Sequence, residues 1–93
     1  MTGAGEWQLV LTAPARRALS DRLPGAVVTA VIDFLTSSAL MREPRRVGKP
    51  LRAELAGIWS ARRGTYRILF RIVEHNQEVV VLRIERWRDV YWT

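Results

Sequence analysis

Cysteine is missing from this 93-residue chain, and histidine occurs once, at His75. Without cysteine there is no disulfide framework and no thiolate metal site, and a lone histidine is too few for zinc, so neither a metal nor a cofactor is expected. The same lack suits a reducing cytoplasm, where the protein is expected to act. Long apolar runs are missing as well. No stretch approaches the length needed to span a bilayer, so no membrane partner is expected. Met1 to Glu6 is small and polar, with neither a basic start nor an apolar core, which argues against a secretory signal and for a segment without fixed structure. Residues 1–93 show no repeat, low-complexity tract or linker, so a single domain is expected, with a core small enough that a bound partner would add usefully to its stability.

Lysine is nearly absent too, and the formal charge of +6 is carried by fourteen arginines and Lys49. Up to residue 41, three arginines meet three acidic residues. From Arg42 to Arg88, twelve basic residues meet five acidic ones, a local balance of +7. Arginine presents a planar fork of donors that grips phosphate oxygens in pairs and keeps its charge at any ordinary pH, so this block predicts a nucleic-acid backbone as partner. A merely solvated arginine-rich surface is the plainer alternative.

Trp7, Leu9 and Leu11 alternate with Gln8, Val10 and Thr12, the two-residue period of a strand over Glu6 to Thr12. Thr12 then suits the cap of a helix over Ala13 to Leu23, which Pro24-Gly25 interrupts. Val27, Val28, Val31, Ile32, Phe34 and Leu35 recur at helical spacing in a second helix that ends at Pro44 at the latest. Arg42 to Gly57 reads as a mostly irregular basic connector. Three antiparallel strands close the chain: Ile58 to Arg63, a turn at Gly64-Thr65, Tyr66 to Val73, a turn near His75-Asn76-Gln77, and Glu78 to Arg86. The fold class is therefore α+β, in the order β-α-α-β-β-β, with two helices on one face of a small antiparallel sheet.

Within the middle strand, Tyr66, Ile68, Phe70 and Ile72 share the face that must meet the helices, while Arg67, Leu69, Arg71 and Val73 share the other. A two-residue turn at Gly64-Thr65 places Arg62 directly opposite Arg67. Like charges so placed destabilise a sheet, unless the pair holds an anion. Both side chains splaying into water is the plainer account. Which arginine joins them from the last strand depends on the loop at His75: an odd-length loop brings Arg83 to the Arg67 face, an even one Arg86.

The segments Val47-Gly48-Lys49-Pro50-Leu51, Glu54-Leu55-Ala56-Gly57, Arg62-Arg63-Gly64-Thr65-Tyr66-Arg67 and Arg88-Asp89-Val90-Tyr91 together resemble the RelE/ParE toxins of bacterial toxin–antitoxin systems, and among these the mycobacterial-type RelE toxins. The resemblance extends over nearly the whole chain and implies a ribosome-dependent endoribonuclease that cuts mRNA in the ribosomal A site, inhibits translation, and is neutralised by a cognate antitoxin. By position, Arg67 matches the family arginine that contacts the scissile phosphate, Arg62 the basic position on the preceding strand, and Tyr91 the C-terminal tyrosine that stacks on the mRNA base. These three are the candidate catalytic residues. Arg45, Arg46, Lys49, Arg83, Arg86 and Arg88 are the candidate RNA contacts. Attack by a ribose 2′-hydroxyl needs a base, an acid for the leaving oxygen, and positive charge on the transition state; arginines supply the last.

Three positions depart from the family's pattern. Ile58 and Ser60 stand where RNA-cleaving members carry lysines, and Trp87 stands four residues before the final tyrosine, where arginine is usual. Those departures keep two alternatives open, a gyrase inhibitor of the same fold and a non-catalytic RNA-binding module. Glu85 and Asp89 suit charge partners for the neighbouring arginines better than a base. His75, in a turn remote from Arg67, suits solvent; Trp7 and Trp59 suit the edge of the core, and Trp87 and Trp92 suit packing more than base stacking.

Overall fold

The two-residue alternation after Trp7 forms strand β1 (Gln8–Leu11) in a computed structural model that describes residues 6–86. Helix α1 (Ala13–Arg17) follows, with Pro14 in its first turn, where a missing N–H leaves no bond unmade. Thr12 has the extended backbone of a cap residue, yet its hydroxyl makes no cap bond. It points instead at the carbonyls of Val81 (2.8 Å) and Leu82 (3.1 Å), fastening the start of the helix to the last strand. The expected single helix to Leu23 changes character at Ala18. Ala18–Arg22 is a π turn, closed by the Leu23 N–H donating to the Ala18 carbonyl at 3.0 Å.

Helix α2 (Gly25–Leu35) buries Val31, Phe34 and Leu35 and leaves Ile32 exposed, a narrower apolar stripe than the sequence suggested. It does not run on toward Pro44. Ser37 accepts a hydrogen bond from the Leu40 N–H and starts a separate helix, α3 (Ser38–Arg42). The 18 residues Gly25–Arg42 have a mean hydropathy of 1.3, more apolar than the sequence reading allowed for. The break leaves α2 at 11 residues, about 16 Å against the roughly 30 Å of a bilayer core. The connector also holds more structure than expected: a helical turn α4 (Pro44–Val47) and a two-residue strand β2 (Lys49–Pro50). Gly48 permits that strand, because a Cβ there would lie 2.8 Å from the buried Phe70 ring.

Strands β3 (Trp59–Arg63), β4 (Tyr66–Val73) and β5 (Glu78–Arg86) form the expected antiparallel meander. The five strands lie in the order β1-β5-β4-β3-β2, with β1 parallel to β5, so the sheet is mixed. Helices cover one face, where Ile68, Phe70, Val79, Val81 and Ile84 meet Ala15, Ala18, Val31, Phe34, Leu35 and Leu40. Each large side chain fully buried there contributes about 1.5–3 kcal/mol.

Register decides what the other face displays. Gly64, with φ +62°, opens the expected two-residue turn, and Arg62 pairs with Arg67. Between β4 and β5, Val73 pairs with Glu78 across a four-residue loop, an even length that by itself would bring Arg86 to the Arg67 face. The ladder then skips Leu82: Phe70 pairs with Val81, Leu69 with Arg83, and Arg67 with Glu85. That one-residue bulge reverses the parity of the rest of β5. Arg83 and Glu85 therefore share the face of Arg67, and Arg86, opposite Tyr66, lies on the helix side.

Candidate nucleic-acid interface

A row of charged side chains crosses three strands on the face away from the core: Arg62 on β3, Arg67 on β4 and Glu85 on β5. One step along the strands lies a second row, Ser60, Leu69 and Arg83, and Lys49 pairs with Ser60 from β2. Directly opposed residues bring their Cβ atoms to about 4.5–5.5 Å. The sequence thus folds six polar or charged positions into one small patch, with Lys49, Ser60, Arg62 and Arg67 lining a cleft of about 400 Å³ together with Val47, Leu51 and Ala61.

Glu85 organises the cations. Its carboxylate lies 3.4 Å from Arg67 Nη2 and 3.7 Å from Arg83 Nη1, which makes it the charge partner its setting suggested. Arg67 is 13% exposed, whereas Arg83 is 64% exposed. A long side chain held by an ion pair and by packing loses little further freedom when it meets a ligand. Among the described residues, Lys49, Arg62, Arg67 and Arg83 meet one carboxylate, Glu85, and two guanidinium groups facing each other across strands suit an anion between them.

The remaining candidates are dispersed. Arg45 on α4 is ion-paired with Glu74 in the β4–β5 turn, at the opposite end of β4 from Arg67, and Arg46 lies 3.8 Å from Glu43. Arg86 lines a recess with Arg22, Leu23 and Tyr66 on the helix side. Arg88 and Tyr91 lie outside the described residues, as do Trp87, Asp89 and Trp92. His75 is exposed in the turn far from Arg67, and Trp7 and Trp59 pack partly buried on the core, as read from the sequence. Among the described residues no cluster of His, Cys, Asp or Glu is arranged to hold a metal ion. Lys49 stands beside Ser60, a neighbour that the sequence does not reveal because a two-residue strand has no periodicity to betray it.

A family model for the ParE toxin of type II toxin–antitoxin systems (parDE) matches residues 13–91. The chain belongs to the RelE/ParE toxin superfamily. The toxin RelG of Mycobacterium tuberculosis is 52% identical to it over 80 residues, 86% of this chain and 90% of RelG. Toxin RelE of the same organism is 39% identical over 80 residues, 86% of this chain and 80% of that relative. The RelBE2 toxin–antitoxin complex from M. tuberculosis contains a chain with a TM-score of 0.80 and 49% identity, over 87% of this chain and 98% of that one. This chain is thus a toxin-family protein that matches those relatives over 80–98% of their own lengths.

Proposed function

We propose that this toxin inhibits translation as an endoribonuclease that cuts mRNA on the ribosome, and that a cognate antitoxin neutralises it. The observation that carries the reading is the cleft in which Arg62 and Arg67 face each other across β3 and β4 with Lys49 alongside. In the reaction the ribose 2′-oxygen attacks the adjacent phosphorus, the bond to the 5′-oxygen breaks, and a 2′,3′-cyclic phosphate and a 5′-hydroxyl result. Negative charge builds on the phosphoryl oxygens. Arg67, held by Glu85, and Arg62 opposite it are the groups that stabilise this charge, and fixed cations in a partly dehydrated cleft do so with little rearrangement.

Ser60 bears on the choice of target. Where RNA-cleaving members carry lysine, this chain has a serine, but its cross-strand partner is Lys49, so an ammonium still enters the cleft from the adjacent strand. That favours RNA chemistry. The RelBE2 relative, a toxin–antitoxin complex, supports the antitoxin as partner. Ile58 and the match to a ParE model favour a second reading, inhibition of DNA gyrase. Single-turnover cleavage of mRNA on programmed ribosomes separates them. Cleavage by the wild type supports the first reading, and intact mRNA with inhibited gyrase supercoiling supports the second.

A further inference from the structure

Beyond the cleft, the arginines of α1 and its π turn form a feature that none of the catalytic assignments uses. β1 ends at Leu11, opposite Val81, so beyond Val81 the edge of β5 is flanked by α1 and the π turn instead of a strand. Between them lies a polar recess of about 220 Å³ lined by Pro14, Arg17, Ala18, Arg22, Arg83, Ile84 and Glu85. Arg17 and Arg22 are five residues apart, which on an α-helix would set them roughly 140° from each other. The wider i→i+5 turn at Ala18–Arg22 brings them back toward one side. Both are exposed, and no salt bridge to a described residue engages either.

An ion pair links the recess to the cleft, since Glu85 lines the one and Arg67 the other. Arg83 lines the recess and reaches Glu85, whose other oxygen meets Arg67. Cations therefore follow one another from Lys49 on β2 through Arg62, Arg67 and Arg83 to Arg17 and Arg22, across the strands and not along them. We propose that Arg17, Arg22 and Arg83 form a second phosphate-binding subsite, which holds the backbone of the single-stranded RNA at a phosphate removed from the one in the Arg62–Arg67 cleft. This rests on the reading of the protein as an RNA-cleaving toxin and specifies how its substrate lies. A phosphodiester chain fits the track better than an acidic protein segment does, because the recess offers guanidinium groups and little apolar surface for a peptide to bury.

The test uses the full-length protein and a fluorescein-labelled single-stranded RNA of about eight nucleotides, a length typical of single-strand sites, with anisotropy titrations from about 50 to 200 mM salt. Each phosphate contact on a single strand contributes about 0.7 to the slope of log affinity against log salt. Arg17→Ala/Arg22→Ala should make the slope shallower by about 1.4, so that fourfold dilution of salt gains the wild type about sevenfold more affinity than the variant. Arg17→Lys/Arg22→Lys should keep most of the slope, and circular dichroism of both should match the wild type. An unchanged slope in the alanine variant, or no RNA binding by the wild type, overturns the subsite. So does an unchanged slope with lost antitoxin capture, which would assign the recess to protein docking. Ribosomal cleavage by Arg62→Ala/Arg67→Ala is followed separately. Wild-type rates there would sink the catalytic reading while leaving the salt slope to decide the subsite.

Discussion

Arg67→Ala separates the chemistry of the cleft from its stability. In the folded chain Arg67 meets Glu85 at 3.4 Å with both side chains largely screened from water, an interaction of about 1.5–3 kcal/mol for a charged hydrogen bond. Two effects offset its loss. Glu85 keeps Arg83 at 3.7 Å, and Arg62 loses a like-charged cross-strand neighbour, a gain of roughly 0.2–1 kcal/mol. A net cost of about 1–2 kcal/mol lowers the melting temperature by roughly 5–15 °C in a domain of this size. Against a total stability of about 5–14 kcal/mol the fold survives. Ile68 and Phe70, on the opposite face, remain buried. If Arg67 stabilises the transition-state phosphoryl oxygens, its removal costs about 3–4 kcal/mol of activation free energy, roughly a hundred- to a thousandfold in rate. Single-turnover cleavage on programmed ribosomes, with melting followed by circular dichroism, measures both. A folded Arg67→Ala protein that cleaves within about threefold of the wild-type rate would refute the assignment, since that is well under 1 kcal/mol. Arg67→Lys should fall between the two, because it keeps the charge and loses the fork.

Gly48→Ala should destabilise the chain by about 1–3 kcal/mol, because the new methyl meets the fully buried Phe70 ring at 2.8 Å and displaces β2 with Lys49; thermal melting shows the loss, and an unchanged midpoint would contradict the packing. Thr12→Val keeps the shape and leaves the Val81 and Leu82 carbonyls without the hydroxyl, a cost of about 1–2 kcal/mol in denaturant unfolding; a neutral substitution would mean that water replaces the hydroxyl fully. Arg45→Ala removes a side chain that is exposed and engaged by Glu74 far from Arg67, so cleavage should stay within about twofold and stability within about 1 kcal/mol; a large loss of cleavage would bring α4 into the RNA path.

The legible parts of the molecule were those governed by local rules. A two-residue turn leaves one register, so the Arg62–Arg67 pair followed from Gly64-Thr65 and was observed. The apolar face of β4 followed from simple alternation. The structure within the connector was not legible because its pieces are too short for periodicity: α4 has four residues and β2 two. Pro44 bounded the second helix only from above, and Ser37 before Ser38–Arg42 is the cap signal that marks the break between α2 and α3. Arg45 looked like any member of a basic patch because its partner, Glu74, is remote in sequence and close only in the fold.

The register of β5 shows why a site can depend on an irregularity that its own sequence compels. Along β5 the buried residues are Val79, Val81 and Ile84, two steps apart and then three. Without the bulge, Leu82 would oppose Leu69 and Arg83 would oppose Ile68, which has no exposed surface. A guanidinium would then enter the core with no carboxylate among the core residues there to receive it, while Ile84 turned to the outer face. Skipping Leu82 puts Ile84 in the core and Arg83 outside, and the Thr12 hydroxyl meets the carbonyls of Val81 and Leu82 where the ladder is broken. The same step carries Glu85 across from Arg67. Hydrophobic burial on one face thus decides which charges assemble on the other, and the two-then-three spacing of Val79, Val81 and Ile84 was the signal in the sequence that an even-length turn alone did not settle the register.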